Sequence, residues 1–198
     1  GSWTNASNWA PARSTPAVND ILEFSTNATV TDMPAAESIG KLWLRNNAVV
    51  NLSTTVASVI TIGHATVTAP HFAVDAGTAL NVAGTNAIEL NIGSGYAGEV
   101  SGSIDFFNVA HRLTAASANS LLFKNGAVFT ANISFNGNAF GTTNLNSVVF
   151  ESGATYIQKI GGNPFGAVAP NAVTTFNSGS IYRYQRNGLA PSLVGRTF

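Results

Sequence analysis

One short motif recurs six times along the chain, and this repetition constrains the fold more than any other feature. Each copy has two short segments of alternating apolar residues, joined by two turn residues, a Gly or Asn, and a small residue. Alternation with a period of two is typical of β-strands, and Gly or Asn suits a turn position with positive φ. The copies begin at Leu22, Leu42, Phe72, Leu121, Val148 and Thr174.

The spacing of the copies predicts a stack of similar coils. Successive copies are separated by 20, 30, 49, 27 and 26 residues, whereas a propeller blade needs about 40 residues and a leucine-rich repeat has its own Leu pattern. We therefore predict an all-β fold, a right-handed parallel β-helix (β-solenoid) of about seven coils, stacked about 4.8 Å apart. The interval of 49 residues predicts one degenerate coil, with its strand at Ile104-Asp105-Phe106.

Aligned copies predict two ladders of side chains that point into the core. Larger side chains and longer spacing towards the C-terminus indicate a wider cross-section there, with Phe123, Phe150 and Phe176 stacked on one another. The first ladder contains Phe24, Leu44, Val74, Phe123, Phe150 and Phe176. The second contains Val30, Val50, Leu80, Phe129, Tyr156 and Tyr182.

The two ends of the chain differ in composition. Residues 1–19 lack strand alternation and contain two Trp and two Pro. This predicts a cap over the first coil, because the uncovered end strands of a solenoid would pair with other chains. Residues 20–198 are predicted to form the solenoid. The sequence from Ala190 to Phe198 has no comparable capping pattern, which predicts a truncated C-terminal end that self-associates end to end.

The composition excludes several classes of protein. The 198 residues include 9 Lys+Arg and 9 Asp+Glu, and charged residues are only 9% of the chain. This argues against nucleic acid as a partner, because such proteins need clustered cations. No apolar run approaches the ~18 residues of a membrane span, so membrane insertion is not expected. The chain has no Cys, which excludes disulfides and thiolate zinc sites.

Several segments resemble large secreted β-helix proteins of Bacteroidota. The resemblance rests on the opening, Trp3 to Arg13 and Asn19 to Phe24, on Leu145 to Phe150, and on the closing Gly195-Arg196-Thr197-Phe198. Proteins of that kind tend to be modular, adhesin-like, and located at the cell surface or secreted by the type IX pathway. The resemblance implies an extracellular or cell-surface location and a chain that continues past Phe198, but it implies no catalytic residues.

The distribution of ionisable residues points away from catalysis. No two acidic residues are adjacent or two apart, and the three histidines, His64, His71 and His111, are scattered. A glycan-cleaving or metal site needs such groups to converge. We therefore predict no catalytic, cofactor-binding or metal-binding residues, and interpret Lys124 and Glu151 as an ion pair between stacked coils.

Apolar residues on the outer side of the predicted strands form a candidate contact surface. If Leu42 and Leu44 point inward, then their neighbour points outward, and exposed apolar side chains can mark a site for protein or sugar. The alternative is that the loops at 132–146 and 159–171 fold over this surface. The candidate contact residues are Trp43, Leu122, Val149 and Tyr184.

These features together favour a non-catalytic extracellular module. The predicted role is a structural, adhesive or assembly segment of a large cell-surface or secreted protein. One alternative is a carbohydrate-binding module of a polysaccharide-degrading system that binds surface glycans through Trp43 or Tyr184. A further alternative is a polysaccharide lyase or glycoside hydrolase.

Overall fold

The computed structural model describes residues 1–196. These residues form an all-β solenoid of about six turns, in which every strand pairs in parallel with its neighbours in three sheets. The fold class is the predicted one, and the number of turns is close to the predicted seven coils.

Each coil contributes one strand to each of two long sheets. Strands are numbered in chain order. The first sheet stacks β1 (Ile21–Phe24), β4 (Lys41–Leu44), β7 (Phe72–Val74), β10 (Gly98–Val100), β13 (Leu121–Phe123), β15 (Val148–Phe150) and β17 (Thr174–Phe176). The second sheet stacks β2 (Ala28–Val30), β5 (Val49–Leu52), β8 (Ala79–Val82), β11 (Ser103–Phe106), β14 (Val128–Ala131), β16 (Thr155–Gln158) and β18 (Ile181–Tyr184).

A third, shorter sheet closes the first four coils. The repeat motif does not include this sheet and therefore does not predict it. It stacks β3 (Ala36–Ile39), β6 (Ser58–Ile62), β9 (Ile88–Ile92) and β12 (Arg112–Ala115). Its inward residues, such as Ile60, Leu90 and Leu113, are fully buried, because alternate side chains of a strand point to opposite faces.

The first predicted ladder is confirmed along the whole first sheet. Phe24 pairs with Leu44, and Leu44 pairs with Val74. The Phe123 and Phe150 rings stack with centroids 4.3 Å apart and planes at 2°. The Phe150 and Phe176 rings stack at 5.0 Å and 18°, and all three rings are buried.

The degenerate coil differs from the prediction. Its strand in the first sheet is β10, whose Val100 lies between Val74 and Phe123 in the ladder, while Ile104–Phe106 belongs to the second sheet. The first position of this coil is Gly98, whose backbone packs so tightly that an added Cβ would lie 2.6 Å from Ile92 Cδ1. Because this position has room only for glycine, the coil lacks the apolar residue with which most other copies begin.

The second predicted ladder is correct except in the first coil. Val30 pairs with Leu52, and Ala28 pairs with Val50, so the predicted pairing of Val30 with Val50 is wrong by two residues. The turn at 25–27 is shorter than the next turn, where Asn46 and Asn47 adopt φ of 59° and 58°. A shorter turn brings β2 into the sheet two residues earlier.

Phenylalanine-bearing loops replace the third sheet in the later coils. Within residues 1–196, no strand stacks beyond β12 in this sheet, and the chain follows loops at 132–147 and 159–173 instead. Phe140 lies 5.7 Å from Phe123 and 4.9 Å from Phe129 between ring centroids. Phe135, Phe140 and Phe165 are all buried in the core, so these loops fill the solenoid from its third side.

The N-terminal segment packs against the first coil. It contains one 3₁₀ turn at Ala6–Asn8. Trp3 is 1% exposed and belongs to the core, and Trp9 lies 5.5 Å from both Trp3 and Phe24 between ring centroids. These rings extend the apolar core past the first strands of the two long sheets.

Candidate functional site

The outward row of the first sheet contains three of the four predicted contact residues, but it does not join them into one patch. Trp43 lies on β4, and Leu122 and Val149 lie on the neighbouring strands β13 and β15. Ala73 and Glu99 separate Trp43 from Leu122 in the row. Two intervening strands place them about 14 Å apart at the usual strand spacing.

Trp43 is half-buried and surrounded by charged partners. Its indole N–H donates to Asp75 Oδ1 at 3.0 Å. Lys41 Nζ lies 4.8 Å and Arg45 Cζ lies 4.3 Å from the ring centroid, within the range of cation–π attraction. Because two cations already lie over the indole, Trp43 does not present a bare aromatic platform.

The other predicted contact residues offer little exposed apolar area. Val149 is 6% exposed and Leu122 is half-buried. The expected ion pair beside them is confirmed, with Lys124 Nζ 2.9 Å from Glu151 Oε2. Tyr184 lies on the second sheet, and its hydroxyl donates to the Leu189 carbonyl at 2.8 Å.

An ionic cluster joins the N-terminal segment to the first coil. Arg13 pairs with Asp20, with Nε 2.6 Å from Oδ2, and also with Glu37, which accepts a hydrogen bond from Trp3 Nε1 at 2.6 Å. Burial lowers the pKa of Arg13, but the hydrogen bonds and charges of Glu37 and Asp20 outweigh this and raise it. Since these charged groups are paired with one another, the cluster holds the N-terminal segment to the first coil and offers few groups to a ligand or substrate.

A polar groove lies on the outer face of the third sheet. Side chains of β9 and β12 form its floor, and the loop at 141–144 forms one wall of a groove of about 400 Å³. The Thr114 hydroxyl lies 2.8 Å from Glu89 Oε1 and 3.1 Å from Asn91 Oδ1. Arg112 pairs with Glu89 in the sheet register.

Sequence reasoning did not find this groove, although a signal was present. Glu89-Leu90-Asn91-Ile92 and Arg112-Leu113-Thr114-Ala115 share the same polar and apolar alternation, one coil of 23 residues apart. The recurring motif covers only the first two strands of each coil, so it does not align the polar positions of the third strand with one another.

The three histidines have different contacts in the structure. His64 contacts Thr66, with Nδ1 and Oγ1 2.9 Å apart, and His71 Nε2 lies 3.1 Å from the Val67 carbonyl. His111 is buried, and its Nδ1 accepts from the Ile88 N–H at 3.1 Å. Among residues 1–196, no three His, Cys, Asp or Glu side chains are grouped so that they could hold a metal ion.

Three comparisons with known proteins gave no match to this chain, whether to a protein-family model, a curated protein or a solved structure. Within the described part of the chain, no helix has the length and apolar character needed to cross a membrane. The fold alone assigns the chain to a structural class, the parallel β-solenoids.

Proposed function

We propose that this chain is a non-catalytic, extracellular β-solenoid module of a large cell-surface or secreted protein, and that it serves as a structural, adhesive or assembly segment. The observation that supports the proposal is the outer edge of β18, the last strand of the second sheet within residues 1–196. A strand edge whose backbone groups lack a partner is a template for another strand.

Backbone geometry supports pairing at this edge. The N–H groups of Ile181 and Gln185 donate to the preceding coil, to the carbonyls of Ala154 and Gln158, at 2.8 Å each. Because hydrogen bonds alternate along a parallel strand, the N–H groups of Tyr182 and Tyr184 point to the open side. A strand from a second copy of this chain fits against these groups.

The segment after β18 leaves apolar side chains exposed near the edge. Arg186 donates to the Gly161 carbonyl at 2.8 Å, and Arg196 donates to the Ala167 carbonyl at 2.8 Å, so the segment lies against the 161–171 loop. Leu189 is 98% and Val194 81% exposed. Exposed apolar residues beside a strand edge favour end-to-end association.

Light scattering coupled to size-exclusion chromatography tests the proposal. We expect the mass of the wild-type chain to rise with concentration, and the double variant Leu189→Lys/Val194→Lys to reduce this rise. The control is Ile133→Lys, a 67% exposed residue on the side of the solenoid, which is expected to associate like the wild type. A monomer at all concentrations would rule out end-to-end assembly.

The enzymatic alternatives are tested separately. The purified chain is incubated with neutral and acidic polysaccharides, with and without calcium, and the products are sized. The proposal expects no shortening of any polymer. Release of shorter or unsaturated products would instead support a hydrolase or a lyase.

A further inference from the structure

The outer face of the third sheet points to a second role, separate from the proposed assembly. We propose that its groove binds a neutral, linear oligosaccharide that runs along the solenoid axis. The floor of the groove is formed by Glu89 and Asn91 on β9 and by Arg112 and Thr114 on β12. The groove does not include the aromatic candidates Trp43 and Tyr184.

The groove offers both donors and acceptors to a ligand. The Thr114 hydroxyl has one proton and donates it to Glu89 Oε1 at 2.8 Å, and Arg112 uses Nη1 to donate to the Asn138 carbonyl at 3.0 Å. Within residues 1–196, Glu89 Oε2 accepts no hydrogen bond and Arg112 Nη2 donates none, while the Asn91 amide lies beside the Thr114 hydroxyl. Sugar hydroxyls both donate and accept, so neighbouring hydroxyls of one sugar match this mixed set.

The charges in the groove favour a neutral ligand. Glu89 and Arg112 are paired in register on adjacent strands, so one negative and one positive charge face the same space. Because the two charges offset each other, the groove has no net attraction for a polyanion or a polycation. The remaining polar lining residues, Asn91, Thr114 and the loop residues Thr142, Thr143 and Asn144, are uncharged.

The stacking of coils favours an extended ligand. Ser38, Thr61, Asn91 and Thr114 occupy one outward row across four successive coils. Their strands are about 4.8 Å apart, so a chain lying along the axis meets Ser38, Thr61 and Asn91 at successive steps. It then reaches Thr114 at the wall of the groove, where this residue is only 7% exposed. A linear polymer with a hydroxyl-bearing unit at regular intervals suits this row.

The wall of the groove is already held in place. The Leu113 N–H donates to the Ala139 carbonyl at 2.8 Å, and the next residue, Phe140, is buried in the core. Gly141 has φ of +77°, and an added Cβ there would lie 3.4 Å from Thr114 Cγ2. The loop thus closes against Thr114, and a site that needs no ordering on binding loses less affinity to entropy.

A printed array of neutral and uronic-acid-containing oligosaccharides tests the inference. The strongest ligand is then titrated against the wild type and the variants Glu89→Gln and Arg112→Gln, whose folding is checked by circular dichroism. Matched controls are Glu99→Gln on the first sheet and Arg183→Gln on the second, both exposed. We expect binding of a neutral glycan, a loss of about tenfold or more in the groove variants, and unchanged affinity in the controls.

Three results would overturn the inference. These are no bound glycan on the array, affinity that is unchanged in both groove variants, and a preference for uronic acids over neutral sugars. Light scattering of the same samples reports on end-to-end assembly independently. The glycan site and the assembly role can therefore fail separately.

Discussion

At the scale of single residues, the buried His111 imidazole links stability to pH. Burial lowers its pKa from 6.5 to about 4, against a smaller opposing effect of the Phe107 backbone. The unfolded chain therefore binds a proton at His111 below about pH 6.5, whereas the folded chain binds this proton only below about pH 4. This contribution to stability is complete above pH 6.5 and is lost as the pH falls towards 4.

We expect the wild type to lose about 2 kcal/mol of unfolding free energy between pH 7 and pH 5 through this residue. His111→Gln retains an acceptor for the Ile88 N–H but does not titrate, so its loss over the same range is smaller. Urea denaturation at the two pH values measures the difference. His64→Gln, a substitution at a more accessible histidine, is the control and is expected to follow the wild type; an identical pH dependence in His111→Gln would contradict the explanation.

The Tyr156 hydroxyl is a second buried polar group of the core. Within residues 1–196 it has no hydrogen-bond partner, and burial raises the pKa of the phenol. Its ring stacks on Phe129 with centroids 5.2 Å apart and planes at 10°. A buried hydroxyl without a hydrogen-bond partner lowers the free energy of unfolding, whereas the stacked ring raises it.

Removal of this hydroxyl is expected to stabilise the fold. Tyr156→Phe retains the ring and should raise the unfolding free energy by about 1 kcal/mol. Tyr182→Phe is the matched comparison, because the Tyr182 hydroxyl donates to Gln158 Oε1, and it should lower the unfolding free energy by a similar amount. Chemical denaturation measures the unfolding free energy of both variants. A Tyr156→Phe variant less stable than the wild type would contradict the absence of a partner for the hydroxyl.

At the scale of elements, stacked phenylalanines join β13, β15 and β17. Phe150 lies in the middle of the column and contacts Phe123 and Phe176 face to face. Phe140, from the loop at 132–147, reaches the same ring edge-on at 6.0 Å. The column therefore couples three coils and one loop.

Loss of the central ring is expected to be costly. Phe150→Ala should lower the unfolding free energy by about 3–5 kcal/mol, because it removes buried contacts and leaves a cavity. Leu122→Ala, on the outer face of the adjacent strand, should cost about 1 kcal/mol or less. Thermal and urea unfolding measure both values, and similar costs for the two variants would contradict the assigned inward and outward faces.

At the scale of the whole molecule, each coil contacts mainly the coils before and after it. Val148 pairs with Leu121 on one side and with Thr174 on the other. A chain that lacks residues 148–173 would place Thr174 beside Leu121 in the same register. Repeat architectures tolerate such changes, because their stability is approximately a sum of coil and interface terms.

Deletion of one whole coil is therefore expected to preserve the fold. The variant lacking residues 148–173 should keep a β-type circular dichroism spectrum and a cooperative melt at a lower temperature. The control lacks residues 148–160, half a coil, and should lose cooperative unfolding, because it joins the loops at 132–147 and 161–173 in one coil although the buried phenylalanines of each loop need a coil of their own. If the two deletions behaved alike, coil-by-coil stacking would not govern the fold.

The sequence predicted most of the architecture and little of the candidate site. The first ladder, from Phe24 to Phe176, is confirmed because alternation and turn residues are local properties that recur in each coil. The errors arose where a local exception hides the motif, at Gly98 and at the short turn before Ala28. The groove of Glu89 and Arg112 stayed hidden because it depends on the register between third strands.

By itself, the sequence determined that the chain forms a parallel β-solenoid, since period-two strands that repeat every 20 to 30 residues can bury their apolar faces only by stacking on one another. The tertiary structure alone decided which polar residues meet. Phe135, Phe140 and Phe165 lie in irregular loops, and their burial depended on the space left where the third sheet ends. Glu89, Asn91, Arg112 and Thr114 became neighbours only when β9 and β12 paired, because side chains distant in the chain converge through strand register.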